Sequence, residues 1–320
     1  MIAPAKVELE HVEKTFVVGR GRKRKVVRAV DDVSFTVEQG AMLGYIGPNG
    51  AGKSTTVKML TGILVPSGGS IRVAGLDPSK HRTELTRRIG VVFGQRTQLW
   101  WDLPLADSFE LLRHVYRVPA DRHRDNVARF VDLLDLGPFL QTPVRQLSLG
   151  QRMRGDLTAA LLHDPEVLYL DEPTIGLDVV SKAQVREFLA ALNTEQGVTV
   201  LLTTHDLDDI ERLCRRILVI DHGRVIYDGE LEALKESMGG QRTLIVDLKE
   251  PAPPLSVGGA VVERVEGARQ WLRFRRTDTS AAALLAEVAR VAEVADLSIA
   301  EPDIEDVVRR IYTSGQQLAP

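Results

Sequence analysis

The sequence predicts a mixed α/β domain built on a largely parallel central sheet, followed by a smaller α+β domain. Two patterns carry this. Up to about residue 238, short β-branched apolar runs alternate with amphipathic stretches, and the pattern breaks at Gly239-Gly240. A length of 320 residues suits two domains with real cores, here 1–238 and 239–320.

In chain order, Met42–Ile46, Val91–Phe93, Val167–Leu170 and Val198–Leu202 are apolar runs too short for helices. Each ends in polar or glycine-containing punctuation, as buried parallel strands do. Helices are expected over 105–118, 124–136, 151–163 and 181–193; in the third, Met153, Leu157 and Leu161 recur every fourth residue along one face. Past Gly239-Gly240, strands are expected at 243–249, 259–266 and 269–276, a helix at 280–293, then a further strand and helix. The basic run Arg20 to Lys25 reads as a solvated hairpin tip.

Composition narrows the partners. Lys+Arg 41 against Asp+Glu 44 gives a net charge of −3, so no nucleic-acid partner is expected. One cysteine, Cys214, allows no internal disulfide, and no Cys/His spacing suits zinc, which fits a reducing compartment. A secretory signal is not expected at the N-terminus, and no run of about 18 apolar residues could span a bilayer, so any membrane role needs a partner.

Gly47-Pro48-Asn49-Gly50-Ala51-Gly52-Lys53-Ser54 satisfies G-x-x-x-x-G-K-[ST] directly after an apolar strand and before a helix-compatible stretch. Glycines let the backbone wrap a phosphate so that successive N–H groups and a helix N-terminus face the anion. Lys53 adds a point charge, Thr55 assists the phosphates, and the Ser54 hydroxyl is the expected Mg²⁺ ligand. Val167–Leu170 runs into Asp171-Glu172, which places two carboxylates at a strand's C-terminal end beside that loop. Asp171 is expected to hold Mg²⁺ through water, and Glu172 to polarise the attacking water as general base. Ser148 and Gly150, at the start of a helix near Gln151, make a second anion site of hydroxyl, close backbone and helix N-terminus.

Leu147-Ser148-Leu149-Gly150-Gln151 resembles the L-S-G-G-Q signature of ATP-binding-cassette (ABC) transporter subunits, with Leu149 where the family has glycine. The resemblance implies a P-loop NTPase fold with a mixed sheet core, an antiparallel β subdomain and a helical subdomain. It implies that the signature closes over ATP bound by an opposite subunit, so a homodimer or cassette heterodimer sandwiches two ATP. Gln95 is similar to the family's Q-loop glutamine, which senses Mg²⁺ and the attacking water. Gly176-Leu177-Asp178 is similar to the D-loop, His205 to the switch histidine, and Phe16 stands where the family has an adenine-stacking aromatic. Residues 94–104, Thr174–Asp178 and Glu301–Asp306 are similar to ATPases allied to daunorubicin-resistance exporters. Those work with separate permease subunits at the cytoplasmic face of the cell membrane.

The expected function is therefore an ATPase subunit powering transport, in the direction of export. A soluble ABC ATPase of translation or DNA repair is the alternative, but such chains carry a second cassette or a long coiled-coil insertion, and neither is present. Adjacent Trp100 and Trp101 cannot both be buried on one face, and the resemblance implies that a permease coupling helix sits beside Gln95. These rings, with Leu111 and Val115, are therefore expected to help form the permease docking surface.

Overall fold

A computed structural model describes residues 5–19, 24–94, 96–237, 241–275, 278–300 and 308. Contacts divide the chain into two compact units after Gly229.

The first unit runs β1 (Ala5–Val18), β2 (Lys25–Glu38), β3 (Met42–Ile46), α1 (Lys53–Leu60), β4 (Gly68–Val73), α2 (Arg82–Leu85), β5 (Ile89–Phe93), α3 (Leu105–Tyr116) and α4 (Ala120–Leu133). It continues through α5 (Leu149–Leu161), β6 (Val167–Asp171), α6 (Val179–Gln196), β7 (Thr199–Thr203), α7 (Leu207–Leu213), β8 (Arg216–Asp221) and β9 (Arg224–Glu230). One sheet has the order β5-β6-β7-β3-β8-β9 and is parallel from β5 through β8. The His222-Gly223 turn, with both φ angles positive, then reverses the chain into β9, as a tight hairpin requires. All five residues of β3 and of β7 are buried, the reason these strands read as unbroken apolar runs.

A second, three-stranded sheet has the order β2-β1-β4 and is antiparallel. Along β2, Val33, Phe35 and Val37 point into the core while alternate residues face solvent, a one-sided sheet with a period of two. Its valines meet Tyr45, Met59, Leu60 and Tyr169 in one apolar cluster, so the two sheets share a core around α1. Beyond Lys14, where β4 has ended, β1 and β2 continue as a two-stranded ribbon up to the Val18–Lys25 pair; most of the basic run lies outside the described residues.

Helices α3 and α5 pack together, with Leu105, Phe109 and Leu112 inward. The helices expected in this unit are present, but α4 starts four residues early and α5 and α6 two. Ser148 caps α5 in a capping box with Gln151, and Asp178 caps α6 by accepting from Val180 and Ser181 N–H. Helix α6 then runs on to Gln196, where Gly197 takes a left-handed conformation and ends it.

The second unit comprises α8 (Leu231–Ser237), β10 (Gln241–Leu248), β11 (Ala260–Glu266), β12 (Arg269–Arg275), α9 (Ala281–Val291) and β13 (Val294–Ala300). Its antiparallel sheet has the order β11-β12-β10-β13. Leu284 and Val288 of α9 pack on Leu244, Val246, Leu272 and Phe274 to form a separate small core. Glu301–Asp306 and, except for helical Val308, the further helix expected there lie outside the described residues.

Candidate nucleotide site

Parallel strands deliver their C-terminal ends to one edge, and here β3, β5, β6 and β7 bring four loops together. The loop after β3 opens α1. Gly52 caps that helix at φ 113°, and a Cβ there would come within 2.5 Å of the Ala29 carbonyl oxygen, so only glycine lets the chain turn under β2. A cleft of about 510 Å³ is lined by Pro48, Asn49, Gly50, Gly52, Lys53, Ser54 and Thr55 on one side and Asp171 and Glu172 on the other. Gly47 and Ala51 belong to the loop without lining the cleft; the Gly47 carbonyl accepts from Lys53 Nζ at 2.5 Å, and Pro48 does so at 3.2 Å. Burial pushes the Lys53 ammonium below the usual lysine range, and the carboxylates of Glu172 and Asp171 pull it back. A bound phosphate would act in the same sense as those carboxylates.

The last residue of β6 is Asp171. One of its carboxylate oxygens accepts from the Thr203 hydroxyl, and the other lies 3.4 Å from Ser54 Oγ. Among the described residues no group of three His, Cys, Asp or Glu side chains could cage a metal. Two hard oxygens beside a phosphate loop are, however, the donor set that suits Mg²⁺, which keeps its waters and takes few protein ligands.

Glu172 follows in a left-handed conformation, φ 56°, held by its N–H donating to the Thr203 carbonyl at 2.9 Å. A glutamate rarely adopts that backbone, and the surrounding bonds over-determine it. Its Oε2 is 2.6 Å from His205 Nδ1, and the His205 N–H approaches the same oxygen at 3.4 Å. The strand before Gln95 is pinned to this residue as well. The Gly94 N–H donates to the Asp171 carbonyl at 2.7 Å, and a Cβ on Gly94 would come within 2.0 Å of the Glu172 carbonyl oxygen. Gln95 itself lies outside the described residues.

The other expected residues are elsewhere. Ser148, Gly150 and Gln151 sit at the N-terminus of α5 and do not line the cleft. Ser148 Oγ accepts from Gln151 N–H at 3.2 Å, which leaves its own O–H free to donate outward. Both carboxylate oxygens of Asp178 are used within α6's first turn, Oδ1 by Val180 and Ser181 N–H and Oδ2 by the Ser181 hydroxyl. Phe16 is not among the lining residues either; it sits in the ribbon opposite Val27, with Lys14 Nζ 5.3 Å from its ring centroid.

The family described as ABC transporter matches residues 30–175. The ABC transporter ATP-binding protein NatA of Bacillus subtilis (strain 168) is 39% identical over 218 residues, 67% of this chain and 87% of that protein. The chain belongs to the ABC transporter family. The daunorubicin/doxorubicin resistance ATP-binding protein DrrA of Streptomyces peucetius is 35% identical over 297 residues, 88% of this ABC chain and 86% of its own. Among solved structures, the dimeric cassette MJ0796 in a post-hydrolysis state bound to ADP and Pi superposes with a TM-score of 0.63 at 27% identity. It covers 70% of this chain and 98% of its own. This ABC protein is an ATP-binding subunit and an ATPase, with the resemblance to daunorubicin-resistance ATPases borne out. No helix among its described residues is long and apolar enough to cross a membrane.

Several residues of this ABC ATPase that hold the site in place escape a reading of the sequence. The Thr174 hydroxyl and Arg186 Nε both donate to buried Asp209, and Lys182 Nζ reaches Asp206 at 2.5 Å. Together they fasten the segment after His205 to α6. Arg96 also lines the cleft. Asp206, Asp208 and Asp209 look like a solvated acidic run, and only the fold reveals which of them is buried.

Proposed function

We propose that this ABC ATPase drives export through separate membrane-spanning permease subunits, from the cytoplasmic face of the cell membrane. It works as a homodimer or cassette heterodimer that sandwiches two ATP with Mg²⁺. Residues 1–238 form the cassette and 239–320 an accessory domain. The observation that carries the reading is the Glu172–His205 pair, 2.6 Å apart, with Glu172 lining the cleft opposite the glycine-rich phosphate loop.

In this reading the loop amides from Asn49 to Thr55 and the Lys53 ammonium bind the β- and γ-phosphates. Ser54 and Asp171, assisted by Gln95, would hold Mg²⁺, which when bound would supply positive charge to the phosphate oxygens. Glu172 takes the proton of the attacking water, and His205 orients the Glu172 carboxylate toward it. Ser148 and Gly150 complete the site of the opposite subunit; their position outside the cleft of their own chain supports sharing. Export is favoured by the likeness to DrrA, a drug-resistance protein by name. The permease would dock on Trp100 and Trp101, which are 39% and 51% exposed, and on the exposed Leu111 and Val115 of α3.

Glu172→Gln tests the chemistry. The amide keeps the shape but cannot act as base, so ATP binding persists while phosphate release falls ~10²- to 10⁴-fold and an ATP-bound dimer accumulates. Wild-type turnover in this variant would remove Glu172 from the mechanism.

A further inference from the structure

Three residues on one face of the signature helix touch the segment that follows Gln95. The Arg152 guanidinium lies 5.7 Å from the Trp101 ring. Gly155 leaves room for Leu105 and Leu99, whose methyls would stand 2.8 and 3.1 Å from a Cβ there. Asp156, only 5% exposed, then accepts at Oδ1 from the Thr97 hydroxyl at 2.8 Å and from Gln98 N–H at 3.1 Å. The Gln98 side-chain amide donates back to the Asp156 carbonyl at 3.2 Å, and Thr97 Oγ1 accepts from Leu99 N–H at 3.0 Å. Positions i, i+3 and i+4 fall on one stripe of a helix, so these contacts form a single seam.

A buried carboxylate is costly, and one in the middle of a helix does nothing for the helix itself. Here every bond of the Asp156 carboxylate goes to a loop 58 or 59 residues away. That loop joins Gly94, fixed against Glu172, to the exposed tryptophans. At the N-terminus of the same helix, four residues before Arg152, stands Ser148, whose carbonyl accepts from the Arg152 N–H at 2.9 Å.

We infer that Asp156 is a positioning residue that latches residues 97–101 to the signature helix, so that the placement of Ser148 against a partner copy's phosphate follows the loop the permease contacts. This rests on the shared-site reading above. Breaking the latch leaves the phosphate loop, Asp171 and Glu172 in place. Nucleotide binding to a single chain therefore survives, while the step that needs the partner's signature is lost.

The test compares the full-length chain with Asp156→Ala, Asp156→Asn, Thr97→Val and the Thr97→Val/Asp156→Ala double variant, alongside Ser148→Arg. Affinity is read with fluorescent ATP, and turnover as kcat at saturating ATP. Asp156→Ala should bind ATP with wild-type affinity but lose on the order of tenfold in kcat, the equivalent of about 1.4 kcal/mol of transition-state stabilisation. Asp156→Asn, whose amide oxygen still accepts from both donors, should recover most of it. The double variant should be no worse than Asp156→Ala alone, because both changes cut one link. If Asp156→Ala fails to fold, Thr97→Val carries the comparison: a fall in kcat at unchanged ATP affinity supports the latch, and wild-type kcat overturns it. An Asn variant as impaired as Ala would also overturn it, as would additive losses. If Ser148→Arg hydrolyses normally, the shared site fails and the latch with it. If Ser148→Arg is inactive while Asp156→Ala turns over fully, the latch alone is wrong.

Discussion

At Asp156 the donors are a hydroxyl and a backbone amide, neither of which repays the removal of a charge from water in full. Burial accordingly pushes its pKa up to about 6, against the opposing pull of Thr97, Gln98 and the Arg152 charge. The sign of the consequence follows from proton counting. Between the ordinary aspartate range and pH 6 the unfolded chain has released this proton and the folded chain still holds it. Stability therefore falls as pH rises through that window and is level above it. The contribution amounts to up to about 3 kcal/mol. Chemical denaturation of wild type and Asp156→Asn from pH 4 to 7.5 should show the wild type losing ground to the variant as pH rises; parallel curves would mean that the carboxylate is solvated. A polarised carboxylate of this kind is invisible in the sequence, where Asp156 sits among Arg152, Arg154 and Gly155 and reads as one more exposed helical charge. Glu172 was legible because its strand and its neighbour Asp171 announce it, and His205 because it follows a strand in the family's order. Their direct bond had to be seen.

At the scale of elements, apolar runs identified the buried strands almost to the residue, since a strand covered on both faces has no polar positions to blur its limits. Helix starts were less legible. The periodicity of α5 and α6 begins where side chains enter the core, whereas the helices begin at their caps, Ser148 and Asp178. The cap also explains why Asp178 faces its own backbone, and the ribbon of β1 and β2 explains the pairing of Phe16 with Val27. The segment between β5 and α3 was legible only in part: its two tryptophans are exposed, but its attachment to α5 depends on hydrogen bonds that no spacing foretells. Replacing Trp100 and Trp101 together with alanine should abolish co-purification with the permease. Arg152 lies at cation–π distance from the Trp101 ring, a contact whose loss costs about 1 kcal/mol, and the chain should remain folded because both rings are largely exposed. Retained co-purification, or a collapse in stability, would assign both rings to the fold instead.

Over the whole molecule, two compact units each close their own core, and the first contains every residue that lines the phosphate cleft. What that cleft lacks is Ser148. Leu149, the departure from the family signature, lies with its Cδ2 2.9 Å from where a Cβ on Gly176 would stand, so the signature is braced against its own chain's D-loop. It cannot fold back over its own phosphates without breaking that contact and the seam along α5. On the shared-site proposal, the arrangement sets the reaction order. A subunit that must meet a second copy before it can turn over has a rate that depends on the square of its concentration when dilute, and linearly once most copies are paired. Specific activity of the permease-free chain at saturating ATP should thus decline on serial dilution and return on reconcentration. Tethering two chains end to end should abolish the decline, because the second copy is then always at a fixed effective concentration. A specific activity indifferent to dilution in the untethered chain would mean that each copy hydrolyses alone.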